Sequence, residues 1–146
     1  MGWRTSPIWV RDGVIAALFA GFLSGVPSTF YAVLTHTSVL RAISAAGGIV
    51  LGSGAPQSET LFVGALVHGF LSLFWGVVLG VVLPRRATVL WGGLAAVAIA
   101  VLDLLLIGRM FDSIQALTFL LQLFDHIVFG IVAAIVISQR RKARRR

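Results

Sequence analysis

Apolar positions run nearly without interruption through four stretches of the chain, Val14–Leu34, Leu61–Leu83, Ala87–Ile107 and Ser113–Ile137. A helix rises ~1.5 Å per residue, so each stretch is long enough to cross ~30 Å of hydrocarbon. The segments LPRRA (Leu83–Ala87) and GRMFD (Gly108–Asp112) are tight connections, with Pro84 ending the second helix, and they predict antiparallel packing of the second, third and fourth helices. The segment Thr35–Thr60 is longer. Its centre, SVLRAISAAGGIVL, predicts a short helix, either in the interface with Arg41 on the wet face or folded over the bundle as a lid, followed by the polar loop GSGAPQSE. The predicted fold is all-α, an integral membrane four-helix bundle.

The polar and small positions inside these runs fall in lines. In the second run Gly64, His68, Ser72, Gly76 and Gly80 repeat at i+4 and share one face. The first run carries Ala17, Gly21, Gly25, Ser28 and Ala32, with Gly21 and Gly25 a GxxxG pair. The third carries Gly92, Ala96, Ala100 and Asp103, and the fourth Gln115, Thr118, Gln122, Asp125 with His126, and Gly130. In lipid, small residues let helix backbones approach, so Gly21, Gly25, Gly64, Ser72, Gly76 and Gly80 are the expected packing positions. His68 shares that stripe and should face protein, where an ionisable group is less costly.

Counting from the outer end of each run places Asp103 ~6 Å deep, Ser28 ~9 Å, His68 ~10 Å, Gln122 ~14 Å, and Asp125 and His126 ~18–20 Å. The polar groups thus form a wedge that enters from outside and stops near the middle. The inner halves FWGVVLGVVL, VLWGGLAAVAIA and GIVAAIVI hold no ionisable side chain. A conducting pore needs wettable lining throughout, so a monomeric channel is disfavoured. The candidate ligand-binding or proton-carrying residues are Ser28, Tyr31, His68, Asp103, Gln122, Asp125 and His126. Asp103 is a candidate acceptor for His68, and Gln122 a candidate donor to Asp125. Pro27, in SGVPST, offers a kink or a break in the first helix.

Composition narrows the picture. Of 146 residues 58% are hydrophobic and 12% charged, against ~25% charged in soluble domains. The net charge of +7 would suggest nucleic acid in a soluble protein. Here it flanks the apolar runs, which argues against nucleic-acid binding. Arg4, Arg11, Arg85, Arg86, Arg140, Arg141, Lys142, Arg144, Arg145 and Arg146 fall on one side, and only Arg41 and Arg109 on the other. Both termini are therefore expected in the cytoplasm, with residues 138–146 a basic tail that meets anionic lipid. The first run exceeds the 7–15 apolar residues usual in a signal peptide and is expected to be retained. Without cysteine, thiol redox chemistry and Cys-ligated metals are excluded.

No nucleotide loop, nucleophile elbow or metal-ligand spacing is present, and the depths of His68 and His126 do not suit a shared haem. No catalytic residue, metal or cofactor is expected. SGVPST (Ser24–Thr29) and DHIVFG (Asp125–Gly130) resemble the SGxPST and DHxxFG elements of a family of small uncharacterised bacterial membrane proteins, and the similarity extends through LRAISAAGG and HGFLSLFWG. That resemblance implies a four-span fold in the bacterial inner membrane and no chemistry. The functional expectation is a non-enzymatic bundle with an outward-facing polar pocket for a small or lipid-soluble ligand, or a subunit of a membrane complex. The alternative is a homo-oligomeric proton-coupled small transporter using Asp125. An enzyme using His68 and Asp103 as an acid–base pair ranks last.

Overall fold

The computed structural model describes residues 7–52 and 54–145, so the expected inner-side charges Arg4 and Arg146 lie outside the described residues. Helices α1 (Ile8–Ser24) and α2 (Val26–Leu34) make the first span, α4 (Gln57–Val82) the second and α7 (Phe119–Ala143) the fourth. The third is α5 (Thr88–Ala100), continued by a π-helical segment (Val101–Ile107) and one 3₁₀ turn (Gly108–Met110). Helix α3 (Arg41–Leu51) follows the first span, and the single turn α6 (Asp112–Gln115) precedes the fourth. All four spans are long and apolar enough to cross a membrane, with mean hydropathy of 1.6 to 2.3.

Large apolar side chains face outward and small ones inward. Phe22, Phe70 and Leu120 are exposed, whereas Ala16, Ala20, Ala100, Ala133 and Ala134 are buried. That inversion of a water-soluble core suits a surface solvated by acyl chains, where backbone approach holds helices together. A Cβ at Gly13 would sit 2.6 Å from the Gly76 carbonyl oxygen, and one at Gly80 2.6 Å from that of Trp9. These contacts lock α1 to α4. Ser72 meets Gly21 on the same seam, and Gly92 meets Gly130 between α5 and α7. Of the expected packing positions, Gly25 departs: a Cβ there meets nothing within 4 Å, because it lies at the α1–α2 break.

The packing order corrects the expected one. Helix α1 packs on α4 and α7, and α5 packs on α7, but α4 and α5 do not pack along their length despite the short turn joining them. Their stripes of small residues point to different partners, so the spans diverge and leave a seam. Helix α3 packs antiparallel on the start of α4, where a Cβ at Gly47 would collide with the Thr60 carbonyl and one at Gly64 with that of Ile43. Ser44 and Thr60 share a hydrogen bond of 2.7 Å at this contact. Helix α3 thus runs along the start of α4 and forms a wall of the bundle.

Both described chain ends lie at one end of the bundle, here termed the near end. Asp12, 1% exposed, accepts from Arg140 Nε at 2.9 Å and from Arg144 Nη1 at 2.7 Å, with a second contact to Arg144 Nη2. This carboxylate holds the Arg144 guanidinium above the usual arginine value. Arg141 donates to the carbonyls of Leu83 at 2.8 Å and Gly80 at 3.0 Å, supplying partners to the end of α4. The expected basic tail is thus largely helix: α7 continues to Ala143, and Arg140, Arg141 and, just past the helix, Arg144 are held by the bundle. Above this latch lies an apolar cluster that includes Ala16, Ala20, Leu79, Ile99, Phe129, Ala133 and Ile137.

Candidate functional site

The first span breaks at Pro27, which has no N–H with which to continue the helical hydrogen-bond ladder. Helix α1 ends at Ser24 and α2 begins at Val26, with Pro27 in its first turn. The break leaves free a carbonyl on one side and helix-start N–H groups on the other, which lipid cannot satisfy. Two distant side chains supply the partners. His68 Nε2–H donates to the Gly21 carbonyl at 3.0 Å, which also accepts from Ser24 Oγ at 3.0 Å. Asp125 accepts the Ser28 backbone N–H at 3.1 Å and the Ser28 hydroxyl on its other oxygen. A carboxylate at a helix start is favoured by the N–H groups and the dipole. Asp125 therefore caps α2 from another helix, and Gln122 Nε2 donates to Ser28 Oγ at 3.3 Å rather than to Asp125.

A second polar pair faces this break. His126 Nδ1–H donates to the Gln122 carbonyl at 2.8 Å, which turns Nε2 towards Asp103 Oδ2 at 3.6 Å. Trp75 Nε1–H donates to the same Asp103 oxygen at 3.2 Å, bridging α4 to the third span across the seam. The expected His68–Asp103 pairing is replaced by His126–Asp103. The depths differ from those expected because α7 begins at Phe119, six residues after the Ser113 start expected for the fourth span. Asp125 and His126 therefore lie only ~9–11 Å along α7. Asp103 sits in the π-helical segment, where Gly108 N–H bonds back to the Asp103 carbonyl five residues earlier; such insertions re-aim side chains and recur at functional sites.

These groups line one cavity of about 620 Å³. Ser28, His68, Asp103, Gln122, Asp125 and His126 all reach it. Much of the remaining wall is apolar: Ile43, Ala46 and Ile49 from α3, Leu71 and Trp75 from α4, Leu104 and Ile107 from the third span. Ile99 and Phe129 belong both to this lining and to the apolar cluster beneath it, so they form the floor. Tyr31 is not brought in. It is 47% exposed and lines a shallow recess with Arg41 and Thr118. Arg41 donates to the Ala116 carbonyl at 2.7 Å, tying α3 to the end of α6.

Among the described residues no three His, Asp, Glu or Cys side chains converge to hold a metal ion. Sequence reasoning missed Trp75 and the α3 residues as lining. The only available signal for Trp75 was an indole N–H inside a span, which needs an acceptor when buried. The fold and site define a helical protein with four membrane-length spans around a cavity in the half of the bundle away from the chain ends. No family model, curated protein or solved structure matches the chain.

Proposed function

We propose that this is a multi-pass protein of the bacterial inner membrane that binds a small lipid-soluble molecule between its spans, without catalysing a reaction. The observation that carries this reading is the cavity of about 620 Å³, apolar over much of its wall with a few convergent polar groups. Its size lies within the ~300–1,000 Å³ usual for small-molecule sites. The unpacked seam between α4 and α5 supports entry from the bilayer, and the floor of Ile99 and Phe129 argues against a path through one copy. The basic residues at the near end favour placing it in the cytoplasm, so the cavity opens in the outer half. Arg85, Arg86, Lys142 and Arg145 are the cations best placed there for anionic headgroups. The proton-carrying reading of Asp125 has less support, since both carboxylate oxygens accept from Ser28.

Native mass spectrometry of the protein released in mild detergent tests the reading. A retained small molecule is expected, and Gly69→Trp should remove it, because Gly69 lines the cavity with open space at its Cβ. A spectrum without any adduct, or one that Gly69→Trp leaves unchanged, contradicts it. The same spectrum reports whether copies or other subunits travel with the chain.

A further inference from the structure

Resting on that reading, we infer the chemistry of the ligand's polar end: the cavity takes an uncharged, largely apolar molecule ending in a hydroxyl, a lipid-soluble alcohol or phenol. Asp103 and His126 would hold that hydroxyl. The inference starts from their separation. His126 Nε2 and Asp103 Oδ2 lie 3.6 Å apart, beyond the 2.7–3.2 Å of an N–H···O bond, and the His126 and Asp103 side chains are 23% and 18% exposed. Because Nδ1–H is committed to the Gln122 carbonyl, Nε2 is the ring atom left for a ligand. Asp103 Oδ2 has the Trp75 indole, and among the described residues no hydrogen bond reaches Oδ1. A hydroxyl beside this pair accepts from Nε2–H when the ring carries its second proton and donates to the carboxylate. When the ring is neutral it is still the donor that two facing acceptors lack.

Charge selects further. No Lys or Arg lines the cavity, whereas two carboxylates do, so a phosphate or carboxylate headgroup would bring further negative charge against Asp103 and Asp125. Size sets the apolar body. The cavity is about four times the ~150 Å³ void that accepts a benzene, which suits a chain of some fifteen to twenty carbons. Trp75 lies beside the polar pair and is its natural reporter.

Farnesol, farnesyl methyl ether and farnesyl phosphate are the probes, titrated into the full chain in nanodiscs. Emission from Trp75 is followed after Trp3, Trp9 and Trp91 are replaced by Phe. Farnesol should bind at least tenfold more tightly than the ether, which cannot donate, since a hydrogen bond to a charged group is the interaction lost. The phosphate should bind more weakly than farnesol. Asp103→Asn should weaken farnesol about tenfold and leave the ether unchanged. Equal binding of alcohol and ether, or tighter binding of the phosphate, overturns the hydroxyl assignment while leaving the cavity reading intact. If none of the three binds, the assignment falls as well; if no molecule is retained in the native spectrum either, both fall.

Discussion

Replacing Asp12 and replacing its arginines should have unequal costs, although both break the same ion pairs. The carboxylate is 2% exposed at its side chain, whereas Arg140 and Arg144 are 32% and 31% exposed. In Asp12→Ala the freed guanidiniums swing to water and keep their hydration. The loss is a few charge-assisted hydrogen bonds discounted by solvent, about 1–2 kcal/mol. In the double variant Arg140→Ala, Arg144→Ala the carboxylate stays behind without those partners, which costs about 3–5 kcal/mol. Removing all three side chains should bring stability back towards that of Asp12→Ala, since the stranded charge is gone. Equilibrium unfolding in mixed micelles of mild and denaturing detergent gives all three values. Equal destabilisation by the two variants, or a larger effect of Asp12→Ala, would show that burial of the carboxylate is not what makes this latch matter.

The cap on α2 gives a coupled pair. Asp125→Ala and Ser28→Ala should each destabilise by about 1–2 kcal/mol, and the double variant by little more than one of them, as a thermodynamic cycle in the same micelles would measure. Additive losses would mean that the two residues act separately. Gly64→Leu should displace α3 from α4, since even a Cβ there collides with the Ile43 carbonyl; proteolysis within residues 41–56 should then become faster. Gly25→Ala, with open space at its Cβ, should leave the same cleavage rate and the thermal midpoint nearly unchanged.

The four spans were legible because hydrophobicity over twenty residues depends on nothing distant. The packing positions were legible for the same reason: Gly64, Gly76 and Gly80 lie on one face whatever they meet. Which face meets which helix was not. The turn Leu83–Ala87 suggested that α4 and α5 are neighbours, yet their small-residue stripes serve α1 and α7, and only that mismatch opens the seam. Polar pairing failed through register. A fourth helix beginning six residues later, together with the π-helical segment around Asp103, moved His126 level with Asp103 and left His68 to the Gly21 carbonyl. Asp12 went unread because it precedes the first apolar run and looks like a surface charge. Its burial follows from Arg140 and Arg144, more than a hundred residues away, which the sequence presents as a lipid-facing tail.

Single cysteines, introduced into a chain that has none of its own, probe the division between cavity and floor. Gly69→Cys lines the cavity with open space at its Cβ, and Ala133→Cys lies in the fully buried cluster below. In proteoliposomes of protein first stripped of any retained molecule, N-ethylmaleimide should modify Gly69→Cys readily and leave Ala133→Cys unreacted until the protein is unfolded. Comparable rates at the two positions, or protection of Gly69→Cys, would contradict a ligand-sized cavity resting on a sealed apolar base.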